Sequence, residues 1–353
     1  MSTRRLSRGF SLIEIMVGLV IAMVGVVIMM EVLLSSEERS RTTGSANDAL
    51  STGAVTLHLL GRDLQQAGFA INATSLLNCS LALPSGATVT LAPITVNPDV
   101  SIVPAGDANT DRLIVIYGNP TSQPEGNTVS EVTGSDYRVQ SPTSFNVGDW
   151  FITYPKSCAA ALAMAKVTAR TTSLITATAV NAAAVDGALY DMGKNPRVVA
   201  YRIKDAALQS CDFVANDCRN EGAHWTAMSG NIASLRAQYG HDTNVGSPDG
   251  IVDAWDQTSP TSACGWVKTT AVRVALVARS SQYESKIDST GQRVCDAVTG
   301  AAGTGELSWA GDSGAPLDVS ATAPTTWQCY RYRKFEKIIP TRNVAWMAAQ
   351  SGC

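Results

Sequence analysis

The sequence predicts an α+β protein in which one long amino-terminal helix, membrane-spanning in its first half, packs on an antiparallel β-sheet head. Residues 10–34 are almost continuously apolar, and apolar side chains recur at helical spacing from residue 46 onward. Beyond residue 70, short apolar segments alternate with clusters of Gly, Pro, Asn and Asp, which is typical of strands and turns. The expected divisions are a leader at 1–9, a transmembrane helix at 10–34, its amphipathic continuation at 35–68, and a disulfide-containing β-rich head at 69–353.

The first nine residues, MSTRRLSRG, form a short basic leader. Arg4, Arg5 and Arg8 supply positive charge of the kind that stays on the cytoplasmic side of a membrane. The apolar run that follows exceeds the ~20 residues needed to span a bilayer. It is also longer than the ~7–15-residue core of a secretory signal, and no A-x-A cleavage site follows it. We therefore expect the helix to be retained.

Two features distinguish this segment from a plain signal anchor, which is the alternative. Gly9 lies directly before the apolar run, so a cut after it would leave Phe10 with a new α-amino group. Glu14 places an acid inside the run, where an ionisable group is costly unless it has a partner. The new amine of a neighbouring subunit would be such a partner, and the pair would set the axial register of parallel helices.

The segment RGFSLIEIMVGLVIAMVGV closely resembles the class III signal of type IV pilins and type II secretion pseudopilins. In that family a prepilin peptidase cuts after the glycine and methylates the new amino-terminal phenylalanine. The resemblance implies that Gly9 is the last leader residue, that Phe10 is the N-methylated first residue, and that Glu14 is the assembly acid.

Further segments resemble the PilW family of minor pilins, which is related to the type II secretion minor pseudopilin GspJ. They are DLQQAGF (63–69), LRAQYGHDTNVGSPDGIVDAW (235–255), VRVALVARS (272–280) and YRYRKFEKIIPTRN (330–343). The resemblance implies a minor pilin that primes or caps a type IV pilus at its tip, supporting adhesion, twitching motility or uptake. A minor pseudopilin of type II secretion is the alternative.

The resemblance also implies where the chain resides and what it meets. The subunit would first be held in the inner membrane by one helix, with its head in the periplasm, and would then enter the extracellular filament. Expected partners are other minor pilins, the major pilin, the prepilin peptidase, the assembly platform and a tip adhesin.

The second half of the long helix is expected to dock on the head through a stripe of Leu50, Val55, Leu57, Leu60, Leu64 and Ala67, with Gly68 just past its end. Strands are predicted at 111–118, 149–155, 173–180, 197–203, 232–240, 270–280 and 329–339. The polar segments 119–136 and 281–326 are expected to be surface loops.

Eight cysteines follow the apolar run, and none forms a CxxC pair, which argues against a zinc site. An even number of scattered cysteines after an export signal indicates disulfides, with buried free thiols as the alternative. Cys211 and Cys218 are the best local pair because they close one short loop, and the other pairings stay open. The net charge of −3 argues against nucleic-acid binding.

Two segments carry residue types suited to chemistry. In DTNVGSPDGIVD, the side chains of Asp242, Asn244, Asp249 and Asp253 could supply oxygen ligands to calcium, and a turn rich in Asp and Asn is the alternative. No other cofactor is expected.

The segment GDSGAPL resembles the nucleophile segment of chymotrypsin-like proteases, which makes a membrane-anchored serine hydrolase using Ser313 the alternative from another functional class. A triad also needs a histidine base and an aspartate. Only His58, His224 and His241 exist, and none lies in the sequence context of that family. We therefore expect no enzyme and no catalytic residue.

Overall fold

One uninterrupted helix of 55 residues, α1 (Leu12–Gln66), forms the amino-terminal part of the computed structural model. The structure describes residues 11–121, 125–222, 224–245, 248–287, 289–295, 306–313, 316–320, 326–347 and 353. A rise of 1.5 Å per residue makes α1 about 80 Å long. Two short α-helices, α2 (Ala263–Val267) and α3 (Arg342–Ala345), accompany it in the described part of the chain.

The second half of α1 docks on the head, and its first half does not. Leu57, Leu60 and Leu64 are buried, as predicted. The prediction for Leu50 and Val55 was wrong, since their side chains are 51% and 59% exposed. Where the docked half of α1 begins, the buried positions are occupied by small residues, at Ser45, Ala49, Gly53 and Thr56. These buried positions recur every three or four residues and so lie on one face of the helix. Leu50 and Val55 do not fall in this series and therefore point away from the head.

All seven predicted strands are present, among 21 in the described residues. The strands are β1 (Ser80–Ala82), β2 (Thr88–Thr90), β3 (Ile94–Val96), β4 (Leu113–Tyr117), β5 (Asn127–Thr133), β6 (Asp136–Val139), β7 (Trp150–Tyr154), β8 (Leu162–Arg170), β9 (Leu174–Ala177), β10 (Ala188–Gly193), β11 (Arg197–Lys204), β12 (Ala207–Asp212), β13 (Thr226–Gly230), β14 (Ile232–His241), β15 (Ala254–Asp256), β16 (Thr269–Arg279), β17 (Lys286–Ile287), β18 (Arg293–Val294), β19 (Glu306–Leu307), β20 (Leu317–Asp318) and β21 (Tyr332–Pro340).

The larger sheets have the strand orders β2-β1-β8-β7-β10-β5-β6-β9, β13-β12-β11-β4-β3 and β15-β14-β16-β21. Their pairings are antiparallel except that of β1 with β8. The α+β class, with a long helix on a largely antiparallel head, is therefore confirmed.

Strands β5 to β10 close into a ring with a core of its own. Strand β8 pairs with β7 along its first half and with β9 along its second, which joins the two ends of the series. Inside the ring, the Phe151 side chain packs edge-on against Tyr137 and Phe145, with ring centroids 5.7 and 6.0 Å apart. Strand β5 occupies part of the segment predicted as a loop at 119–136, so that prediction was wrong there. Its alternate side chains are polar and exposed, which hid the strand pattern.

The β15-β14-β16-β21 sheet is covered on both faces. Val274 and Leu276 of β16 face the main core beneath α1, whereas Ala275 and Val277 face a second core that contains Trp309. The prediction of a surface loop at 281–326 was therefore wrong around Trp309, Leu317 and Val319, which pack on the sheet. The reason is that β16 is apolar on both faces, so its outer face also needs a cover.

Candidate assembly site

The first half of α1 exposes its apolar side chains on every side. In the described part of the chain, one helix segment, Leu12–Glu37, is long and apolar enough to cross a membrane, and none of it is buried against the head. Its 26 residues extend about 39 Å, compared with a hydrocarbon core about 30 Å thick. An exposed apolar surface of this size requires cover from lipid or from other helices.

Glu14 lies in the first turn of α1, which begins after Ser11. The Ile15 backbone N–H donates to the Ser11 carbonyl oxygen at 3.2 Å, so the helix is formed from its first turn. An acid at this end of a helix is favoured by the helix dipole. The Glu14 side chain is exposed and has no ion-pair partner among the described residues. Gly9 and Phe10 lie outside the described residues.

Glycines allow α1 to approach strand β21 closely. A Cβ atom added at Gly53 would lie 2.0 Å from the Phe335 ring, and one added at Gly61 would lie 3.0 Å from Lys337 Nζ. The Phe335 ring therefore occupies space that a larger residue at position 53 would need. The helix is fixed laterally by this contact.

A buried acid fixes the rotation of α1 about its own axis. Asp63 is buried, and the Tyr201 hydroxyl of β11 donates a short hydrogen bond to Asp63 Oδ2. Burial raises the pKa of Tyr201, and the neighbouring Asp63 carboxylate raises it further, so the phenol remains the proton donor. Burial and the same carboxylate also raise the pKa of Tyr117 on β4. Asp63 thus joins the helix to two strands of the β13-β12-β11-β4-β3 sheet.

The carboxyl end of α1 is capped from the other end of the chain. The Asn343 side-chain amide donates to the carbonyl oxygens of Gln65, Gln66 and Ala67 at 3.3, 3.2 and 3.0 Å. The last carbonyls of a helix have no N–H partner within it. Here the Asn343 amide supplies donors to them, in addition to the Phe69 N–H that donates to the Gln66 carbonyl at 3.0 Å. Gly68 follows with a φ of +80°, the left-handed conformation expected just past a helix end.

These contacts bring together segments that are distant in sequence. DLQQAGF carries Asp63 and the capped carbonyls, and YRYRKFEKIIPTRN carries Phe335, Lys337 and Asn343. The sequence analysis missed the roles of Asp63 and Asn343. A signal existed for Asp63, since it is an acid set between the apolar residues Leu60 and Leu64 of the docking stripe.

The 242–253 loop uses its carboxylates to hold its own backbone. Asp242, Asp249 and Asp253 accept hydrogen bonds from backbone N–H groups of the loop, including that of Asn244, at 2.8 to 3.1 Å. Within the described ranges, no group of three or more His, Cys, Asp or Glu side chains is placed to hold a metal ion. This geometry is that of a turn rich in Asp and Asn.

Ser313 lies in a turn over the outer face of the β15-β14-β16-β21 sheet. His241 is held elsewhere, with Nε2 3.3 Å from Asp256 Oδ1 and Nδ1 3.3 Å from the Thr269 hydroxyl. His58 is exposed on α1 and His224 is exposed in a loop. The structure therefore does not bring Ser313 together with a histidine and an aspartate in a triad.

Four disulfides cross-link the head. Cys211 is joined to Cys218, and we call this seven-residue closure the β12 disulfide. The other bonds are Cys79–Cys158, Cys264–Cys353 and Cys295–Cys329. The Cys264–Cys353 bond ties Cys353 to α2.

Comparison with known proteins identifies two regions. Residues 200–343 match the family described as Type IV Pilus-assembly protein W (PilW), and residues 4–30 match the prokaryotic N-terminal methylation motif. Among solved structures, the chain is similar to the type IV-like pilin TTHA1219 from Thermus thermophilus, at 13% identity and a TM-score of 0.33, covering 86% of this chain and 98% of that one. None of the curated proteins compared with the chain matches it.

Helix α1 connects the two matched regions. Residues 4–30 include Glu14 and much of the exposed apolar half of α1, and residues 200–343 include the β15-β14-β16-β21 sheet and the Asn343 cap, against which the other half docks. The ring β5–β10 lies outside both matches. Over residues 200–343 the chain is therefore similar to the PilW family of type IV pilus minor pilins, and over residues 4–30 it carries the N-terminal methylation motif.

Proposed function

We propose that this chain primes or caps assembly of a type IV pilus, at or near its tip. The observation that carries the proposal is the single continuous helix α1, which presents Glu14 and an exposed apolar surface at one end and is locked to the head at the other. Such a helix can pack against parallel helices of other pilins while its head stays fixed in orientation.

The same helix serves the chain before assembly. With the leader residues on the cytoplasmic side, the apolar half of α1 crosses the inner membrane and the head lies in the periplasm. The prepilin peptidase then cuts between Gly9 and Phe10. In the filament, Glu14 neutralises the amino-terminal amine of a neighbouring subunit. This pairing fixes the axial position of each subunit relative to the next.

The size of the head supports a place at the end of the filament. The ring β5–β10, which has a second apolar core, enlarges the head beyond the region matched by the PilW family. A subunit repeated along a thin filament must fit between neighbours on all sides, whereas one at the tip is free on its distal side. Other minor pilins, the major pilin, the assembly platform and a tip adhesin are the proposed partners.

Glu14→Ala tests the proposal, and Glu31→Ala is its matched control. Both variants remove one carboxylate from the exposed half of α1, but only Glu14 lies next to the amino terminus that cleavage would create. We expect Glu14→Ala to be cleaved and to remain in the membrane while its recovery in sheared pili falls at least about ten-fold, as loss of a buried charge pair implies. Glu31→Ala should enter pili at nearly the normal level.

Normal piliation with Glu14→Ala would contradict the register argument. Immunolabelling of a tagged chain along the length of the pili, rather than at one end, would contradict the tip position. A gene neighbourhood composed of type II secretion genes would instead favour the minor pseudopilin alternative.

A further inference from the structure

We propose that the outer edge of strand β21, with the groove beside it, binds an extended acidic segment from the head of a neighbouring pilin subunit. The inference rests on the proposed function, because it requires that the chain enters a filament. The segment would extend the β15-β14-β16-β21 sheet by one strand and would place an apolar side chain in the groove.

Strand β21 is at the edge of its sheet and pairs with β16 over all of its nine residues without a bulge. At the two ends of the pair, the Thr341 N–H donates to the Thr270 carbonyl and the Ser280 N–H donates to the Arg331 carbonyl, at 2.9 and 2.8 Å. These bonds fix the alternation of an antiparallel pair.

The backbone N–H groups of Tyr332, Lys334, Glu336 and Ile338 consequently point away from β16. No further strand in the described part of the chain pairs with them. This row of unpaired donors and acceptors is what an added strand requires.

A groove of about 310 Å³ adjoins this edge on the face opposite α1. Trp309, Ala310 and Ile338 contribute apolar walls, and the Ile338 side chain is 59% exposed. In strand addition, the backbone supplies hydrogen bonds while pockets beside the edge select side chains. The groove therefore suits an aliphatic or aromatic side chain of the incoming strand.

The wall of the groove carries an arginine held in place by aromatic rings. The Arg273 guanidinium lies 4.7 Å from the Trp255 ring centroid and 5.4 Å from that of Trp309. Its Nε donates to the neutral Gln238 side chain at 2.7 Å, so its charge has no hydrogen-bonded carboxylate among the described residues. Arg333 adds exposed positive charge along the edge, whereas Lys334 Nζ is already paired with Glu336 Oε1 at 2.5 Å. The single Glu336 carboxylate also faces Arg273, so the two arginines leave this surface with a positive excess. An acidic partner strand complements this surface.

The direction of β21 places its edge towards a neighbour. Gly53 contacts Phe335 and Gly61 contacts Lys337, so the strand runs in the same sense as α1. In an assembly of parallel helices, an edge that runs with the helix faces laterally, towards the next subunit. The charges along β21 could serve only to prevent unspecific pairing of an edge strand. That role would not explain the apolar groove beside the edge.

The test uses the full chain in cells that assemble pili, with a photo-crosslinking amino acid in place of Lys334. The edge is blocked by Ile338→Pro, with Ile338→Val as its matched control. Because the Ile338 N–H points outward, proline removes no hydrogen bond to β16, while valine keeps both the N–H and most of the apolar surface. A second variant, Ala310→Phe, fills the groove and leaves the edge intact.

We expect a crosslink to a peptide in the head of another pilin subunit, identified by mass spectrometry. Its yield should fall about ten-fold or more in Ile338→Pro and in Ala310→Phe, as loss of several main-chain hydrogen bonds or of the groove implies, and should stay within about two-fold in Ile338→Val. The melting temperature of each purified variant verifies that it is folded.

A crosslink only to a second copy of this chain, or equal yields from folded Ile338→Pro and Ile338→Val, would overturn the inference. If the chain enters pili normally and no crosslink to another subunit forms, the edge inference fails and the proposed function stands. If the unaltered chain does not enter pili, both fail.

Discussion

Gly53 is the position at which α1 presses on strand β21, and replacing it with alanine tests whether that contact determines how the helix docks. An alanine Cβ at this position would lie 2.0, 2.6 and 2.8 Å from three carbons of the Phe335 ring. The ring must therefore move, and overpacking of this kind costs about 1–3 kcal/mol. Alanine also favours helix over glycine by about 1 kcal/mol, so we expect Gly53→Ala to lose up to about 2 kcal/mol of unfolding free energy.

Gly44→Ala is the matched control, because it makes the same change in the same helix where a Cβ would meet nothing within 4 Å. The propensity gain of about 1 kcal/mol should then appear without the clash. The difference between the two variants isolates the overpacking cost of about 1–3 kcal/mol.

The assay is urea-induced unfolding of the full chain in detergent, followed by tryptophan fluorescence. A third variant, Phe335→Leu, and its combination with Gly53→Ala complete a double-mutant cycle. We expect a coupling energy of at least about 1 kcal/mol, because the smaller side chain makes room for the Cβ. Equal stabilities of Gly53→Ala and Gly44→Ala, with a coupling near zero, would refute the account of the helix–sheet contact.

Three further changes test other parts of the chain. Gly9→Val should leave an unprocessed precursor by intact mass, because a bulky residue occupies the cleavage position, whereas Ser7→Val should be processed normally; normal processing of both would contradict the leader assignment. Replacing both Cys264 and Cys353 by serine should lower the free energy of unfolding by about 4.6 kcal/mol, because this disulfide closes a loop of 89 residues. Removing the β12 disulfide, which closes a loop of seven residues, should cost about 2.4 kcal/mol. A larger loss for the β12 disulfide would contradict this reasoning. Millimolar calcium should shift the melting temperature by less than about 1 °C, because the carboxylates of the 242–253 loop are already bonded to backbone N–H groups; a shift of several degrees would show binding.

The elements that the sequence predicts are those whose pattern is local. The apolar half of α1 and strands such as β14 and β16 are long and strongly apolar, so their periodicity stands out without knowledge of their partners. The ring β5–β10 was not predicted as a unit. Its strands are short or half polar, and what closes it is the pairing of β8 with both β7 and β9, which no local pattern encodes.

The same distinction applies to the candidate assembly site. Gly9, Phe10 and Glu14 lie within six residues of one another and form a motif that the sequence displays directly. Asp63 and Asn343 act through Tyr201 and the end of α1, which are far from them in the chain. Their roles follow only from the fold, and so they escaped the sequence analysis.

The contacts at the far end of α1 also determine what Glu14 can do. About 73 Å of helix lie between Glu14 and Asp63, and a slip of α1 by one residue against the head would turn every side chain by about 100°. Such a slip would remove Asp63 from Tyr201 and would leave a buried carboxylate without its donor, at a cost of several kcal/mol. The Asn343 cap opposes the same slip, because its amide matches the last carbonyls of the helix in one position only. The direction in which Glu14 points is therefore fixed relative to the head, and a neighbour that binds Glu14 also determines which side of the head it meets.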